Sequence, residues 1–127
     1  MITHQADDRR RFLTVIVNGM ISEADLDAAM AALEKENPAV NVHLVGDAGS
    51  VRMLIDWEHL EGWEKGAKTA GTMFAKCIGD GARKIAVIAD PKWSEEQPRL
   101  ADAAKHATVR FFPPSERDDA LRWLGVA

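Results

Sequence analysis

The chain contains no tyrosine and a single cysteine among its 127 residues. One thiol cannot form a disulfide within the chain, so packing rather than cross-linking must hold the fold. At this length one domain can bury a sufficient core without bridges or metals. No apolar run approaches the roughly 20 residues that a membrane-crossing helix needs. The first residues, MITHQADDRRR, turn charged before any apolar signal segment forms. Basic charge is also scarce: 16 Lys and Arg stand against 20 Asp and Glu, a net charge of −4. That balance argues against nucleic acid as a partner, because phosphate binding needs a concentrated basic face. The one basic run, Arg9-Arg10-Arg11, directly follows Asp7 and Asp8 and reads as a solvated strand entrance. A glycine-rich phosphate loop is missing too, since Gly79-x-Gly81 follows a helical pattern rather than a strand. Together these predict a soluble, cytoplasmic, single-domain protein.

What is present is an ordinary globular mixture, 46% hydrophobic and 28% charged. FLTVIV at residues 12–17 is a compact β-branched run stopped by Asn18-Gly19, which predicts a strand; residues 2–5 could pair with it as a hairpin. Ser22 reads as an N-cap with Asp25 at the third helical position, and Leu26, Ala29, Met30 and Leu33 recur at helical spacing until Asn37-Pro38. Residues 39–50 fit an edge strand or a loop. A short strand is predicted at 52–56 (RMLID). From Trp63, the residues Ala67, Ala70, Phe74 and Cys77 repeat at helical spacing, with Glu61–Lys65 and Glu64–Lys68 as supporting i,i+4 pairs. IAVIA at 85–89 is continuously apolar, as a parallel strand covered on both faces should be. Ser94 opens a capping-box pattern, S-E-E-Q, for a third helix, with Pro98 as the alternative start because at the fourth helical position it would remove a hydrogen bond. TVRFF at 108–112 is the last strand, and Pro113-Pro114-Ser115 opens a final helix with Leu121 and Leu124 inward and an Asp118–Arg122 pair outward. Alternating strands and helices imply parallel neighbours. The expected fold is α/β: a single-domain sandwich of one mixed, mostly parallel sheet of four to five strands with about four helices.

Three stretches, RMLIDWEHLEGWEKGA, ARKIAVIADPKW and ATVRFF-x-x-SERDDALRWL, resemble the SpoIIAA-like family of small bacterial domains. The shared features are Asp56-Trp57 followed by Gly62-Trp63, the strand end leading into Asp90-Pro91-Lys92-Trp93, and a closing Ala120-x-x-Trp123-Leu124 helix. The resemblance covers nearly the whole chain and implies a STAS-type fold, with a further likeness to CRAL-TRIO-type lipid-binding domains. Anti-sigma-factor antagonists of the STAS type carry a phosphorylated serine in the loop after the strand corresponding to 52–56. Here residues 56–63 hold no serine or threonine, and the nearest downstream hydroxyl is Thr69. A phospho-switch at that position is therefore not expected.

Asp56 and Asp90 each close a predicted parallel strand, and ligands bind outside the carboxyl ends of such strands. A catalytic carboxylate pair is one reading, requiring one raised pKa; the favoured one is that each aspartate stabilises the turn after it. His59, with Asp56, Glu58 and Glu61, supplies metal-ligand residue types, but neither H-x-x-x-H nor H-E-x-x-H occurs, so no metal or cofactor is expected. Trp57 and Trp93 follow strand ends and Trp63 lies nearby. They either flank a mouth suited to an apolar ligand or a partner's side chain, or pack in the core. Trp123 reads as packing, and Cys77 as an inert buried thiol. The leading function is a small binding or regulatory domain using Asp56, Trp57, His59, Trp63, Asp90 and Trp93 toward a protein partner or a second copy of the chain. One rival is a carrier of a small apolar or lipid-like ligand. The other is an enzyme using Asp56, His59 or Asp90.

Overall fold

The computed structural model describes residues 1–7, 12–36, 51–65, 67, 82–96, 98, 102 and 108–126. Its strands, in chain order, are β1 (Ile2–Asp7), β2 (Phe12–Val17), β3 (Gly19–Ile21), β4 (Val51–Asp56), β5 (Leu60–Trp63), β6 (Ala82–Ile88) and β7 (Thr108–Phe112). Five of them form one mixed sheet in the order β1-β2-β4-β6-β7. β1 runs antiparallel to β2 as the expected hairpin, and the other three pairings are parallel.

Alternation along the strands sorts side chains onto two faces. Leu13, Val15 and Val17 of β2, Met53 and Ile55 of β4, and Ile85 and Val87 of β6 are buried in one cluster. Helix α1 (Glu23–Glu36) adds Leu26 and Ala29 to it. Leu54, Ala86, Ile88 and Phe112 point the other way, into a second cluster closed by Ala120 and Leu124 of helix α2 (Arg117–Leu124). β4 and β6 are thus covered on both sides, which explains why their sequences lack a polar alternation.

α1 is capped at its start, and α2 is held at its C-terminal end. Ser22 Oγ accepts the Asp25 N–H at 3.1 Å while Asp25 Oδ2 accepts the Ser22 N–H at 3.0 Å, a reciprocal cap on α1. α2 follows a 3-10 turn at Pro114–Glu116 and ends at Gly125, whose φ of +80° suits the left-handed cap position. Arg52 reaches across from β4 to donate to the Leu124 and Gly125 carbonyls at 3.3 and 2.9 Å. Lys84 donates to the Trp123 carbonyl at 2.9 Å and sits over the Trp123 ring. Two cations therefore meet the negative end of α2, and Trp123 packs as expected.

Several expectations need correction. Trp63 does not open a helix; it ends β5, which pairs in parallel with β3 as a separate two-stranded ribbon. The i,i+4 pairing of Glu61 with Lys65 fails with it, because Glu61 is in a strand. β3 itself, which starts at Gly19 with φ +76°, was hidden by its three-residue length. Residues 91–96 form a 3-10 helix that runs through the supposed Ser94 cap, whereas Pro98, the alternative start, is α-helical. Arg122 pairs with Asp119, one position nearer than Asp118. The count of about four helices is not matched: two α-helices are delimited among the described residues, with Ala67, Pro98 and Asp102 helical outside them. The expected segments at 39–50, the helical pattern from Ala70 to Cys77, Gly79-x-Gly81, Arg9-Arg10-Arg11, Lys68 of the Glu64–Lys68 pair and Thr69 lie outside the described residues.

The α1 cap yields a stability prediction. Hydrogen bonds from Ser22 hold the Asp25 carboxyl below its ordinary value of 3.8. A lowered folded-state pKa gives stability that is complete above the unfolded value and fades as pH falls through the folded one. Ser22→Ala should cost about 1 kcal/mol in urea unfolding at neutral pH. The gap between wild type and variant should narrow below pH 4; a gap that widens in acid would contradict the capping account.

Candidate functional site

β4 is the middle strand of five, and its last residue, Asp56, is the one charged residue in the buried set among the described residues, at 8% exposure. By alternation Asp56 shares the α2 face with Leu54, while Trp57 turns to the α1 face. Adjacent residues of the same stretch thus serve opposite sides of the sheet. Asp56 Oδ1 accepts the Glu58 N–H at 2.9 Å, a turn closed by the aspartate's own side chain. Its Oδ2 is paired with Arg117, the first residue of α2, and Arg117 also reaches Glu58 Oε2 at 3.2 Å. Hydrogen bonding to Asp56 raises the Arg117 pKa above its ordinary value against the opposing pull of burial. The guanidinium is thus a fixed cation wedged between the β4 end and the last helix.

Arg117 was missed at the level of sequence. A signal was available: a cation in the first turn of a helix opposes the dipole, so it needs a carboxylate partner from elsewhere.

Trp57 is 6% exposed and belongs to the core. Its ring meets Trp63 and Phe111 edge-on, each at a centroid distance of 5.6 Å, the geometry aromatic quadrupoles favour. The Trp57 backbone N–H donates to the Ile88 carbonyl at 2.7 Å, tying the chain beyond β4 to β6. Trp63 and Trp93 are half-buried against the same cluster. The Trp93 indole N–H is buried without a hydrogen-bond partner among the described residues, and Lys92 sits over its ring at 5.3 Å. Asp90 is exposed, and its Oδ1 accepts the Lys92 N–H at 3.0 Å. His59 is exposed at the tip of the loop, its carbonyl accepting the Gly19 N–H at 2.9 Å. Among the described residues no three His, Cys, Asp or Glu side chains are placed to hold a metal ion, and no helix is long and apolar enough to cross a membrane.

The structure therefore brings Asp56, Arg117 and Glu58 together on one side and Trp57, Trp63 and Phe111 on the other. Asp90 and Trp93 sit in the next turn along, after β6. What faces solvent at the β4 end is Glu58, His59 and Glu61.

The profile of the SpoIIAA-like family matches residues 12–125, and the chain belongs to that family. It is similar to an uncharacterised protein with a SpoIIAA-like fold from Shewanella loihica PV-4, with 22% identity over 98% of this chain and 92% of that one and a TM-score of 0.72. It is also similar to the anti-sigma factor antagonist SpoIIAA in its unphosphorylated form, with 10% identity over 96% of this chain and 98% of that one and a TM-score of 0.58. At such identities these likenesses speak for the fold. No curated protein matches significantly.

The bridge sets up a contrast between neighbouring charges. Arg117→Ala strands the mostly buried Asp56 carboxylate and should cost about 1–2 kcal/mol, discounted for the partial exposure of the guanidinium. Glu58→Gln removes only the exposed half of the arrangement and should cost under about 0.5 kcal/mol. Chemical denaturation of both variants checks this, and equal losses would contradict the assignment of Asp56 as the main partner.

Proposed function

We propose that the chain is a binding or regulatory domain that engages a protein partner through the surface at the carboxyl ends of β4 and β6. Glu58 and His59 would make contacts at the loop tip, and Asp90 and Trp93 would form the neighbouring margin. Asp56 and Arg117 would hold the loop in shape, with Trp57 and Trp63 as its rigid backing. The observation that carries this reading is the Asp56–Arg117–Glu58 bridge. It fixes a loop that has no catalytic or phosphate-accepting hydroxyl yet displays its polar tip to solvent. A loop preset in one shape loses less entropy on binding, which is how a small surface gains affinity. The shared fold with an anti-sigma factor antagonist supports a partner-binding role in kind. Without a serine or threonine between 56 and 63, regulation by phosphate at this loop is not part of the proposal.

The geometry supports this reading over its rivals. A carrier would use the tryptophans to wrap an apolar ligand, whereas the Trp57 and Trp63 rings are in contact with each other. An enzyme using Asp56 as a base would need that carboxylate open to substrate, whereas Asp56 is mostly buried and each of its oxygens already accepts a hydrogen bond.

The test compares wild type with the Glu58→Lys/His59→Glu double variant as bait in cross-linking capture, alongside native mass spectrometry of the purified protein. A partner captured by wild type and lost by the variant, with no bound small molecule, is the expected outcome. An apolar adduct in the native mass, or capture indifferent to the substitutions, would overturn it.

A further inference from the structure

The β3–β5 ribbon has two faces of unlike character. Ile21 and Leu60 anchor it in the core, at 0% and 4% exposure. Met20, between the buried Ile21 and the turn glycine, is 53% exposed; the other exposed large hydrophobic residue among those described is Met1, at the chain start. Opposite Met20 in the register stands Gly62. A Cβ on Gly62 would come within 3.3 Å of the Met20 sulfur, so the thioether lies across a glycine that leaves it room. Glycine in a strand weakens it and marks a place where something approaches the backbone closely. Methionine is a flexible side chain that conforms to varied partners.

The surroundings indicate what approaches. The Glu61 carboxylate lies over Gly19, 3.5 Å from where a Cβ would stand. Glu64 and, past the end of β3, Glu23 are also exposed; Glu64 donates its N–H to the Ile21 carbonyl at 2.7 Å, which brings it beside the ribbon. Against these three glutamates, Lys65 is the exposed cation among the described residues of this stretch. An acidic rim around one apolar thioether suits lysine and arginine side chains, whose stems are apolar and whose heads are positive.

We infer that the β3–β5 ribbon docks a lysine- or arginine-rich segment of a partner protein, with aliphatic stems packed on Met20 and charges met by Glu61, Glu64 and Glu23. This assignment rests on the partner-binding reading and specifies the chemistry of the partner.

The probe is a fluorescein-labelled peptide alternating lysine and valine, titrated with the full chain by fluorescence anisotropy at physiological salt. Met20→Ser and Glu61→Lys should each weaken binding about tenfold, while Asp118→Lys on α2 should stay within about twofold. Met20 and Glu61 are exposed, so both variants should keep the wild-type circular dichroism; Glu61→Gln, the gentler change, should fall between wild type and Glu61→Lys. Equal weakening by Asp118→Lys would mean diffuse attraction to an acidic protein and would overturn the site. So would absent peptide binding, preference for phosphatidylcholine vesicles, or a dimer in solution that buries Met20. Failure here with capture still dependent on Glu58 and His59 overturns the basic-segment assignment alone, whereas capture indifferent to those two residues overturns the parent reading.

Discussion

The Asp56 carboxylate gives one oxygen to the Glu58 amide and the other to Arg117, and so ties the end of the middle strand to the first turn of the last helix. A carboxylate this buried is tolerable only when paired and hydrogen-bonded. Here the pairing also answers the mismatch of a cation at a helix start. Two locally unfavourable choices, a buried acid and an arginine at the positive end of α2, become favourable only in each other's presence. Such mutual dependence specifies one arrangement of loop and helix rather than simply adding stability.

The opposite end of α2 is held in the same manner, with Arg52 and Lys84 reaching from β4 and β6 to its terminal carbonyls. The helix is therefore pinned at both ends by charges from the strands beneath it, with Ala120 and Leu124 packed between. On the other face Trp57, Trp63 and Phe111 form an aromatic wedge behind the same loop. The loop at residues 57–59 is thus backed by apolar packing on one side and an ion pair on the other, which leaves its tip as the variable element.

Much of this was legible in the sequence. The apolar runs at 12–17 and 85–89 declared strands because covered parallel strands have no polar face to alternate. Ser22 with Asp25 declared a helix start because the two satisfy each other's backbone donors. Asp56 and Asp90 were each expected to stabilise the turn that follows, and the aspartate-closed turns at Glu58 and Lys92 are observed. The ribbon was not legible. Its strands are three and four residues long, and the spacing of Trp63 with Ala67 imitates a helix. Tertiary pairing with β3 decided the conformation of residues 60–63, a constraint no local window contains. Arg117 was half legible: a cation in the first turn of a helix calls for a carboxylate, but the one that answers lies 61 positions away.

The account stands or falls on the coupling between Asp56 and Arg117. A double-mutant cycle of Asp56→Ala and Arg117→Ala, read by urea unfolding, isolates it from the separate cost of each truncation. Coupling of about 1–3 kcal/mol is predicted, with faster amide exchange at Glu58 in the Arg117→Ala single variant. Additive losses, with the Glu58 amide as protected as in wild type, would contradict the bridge as the element that shapes the loop.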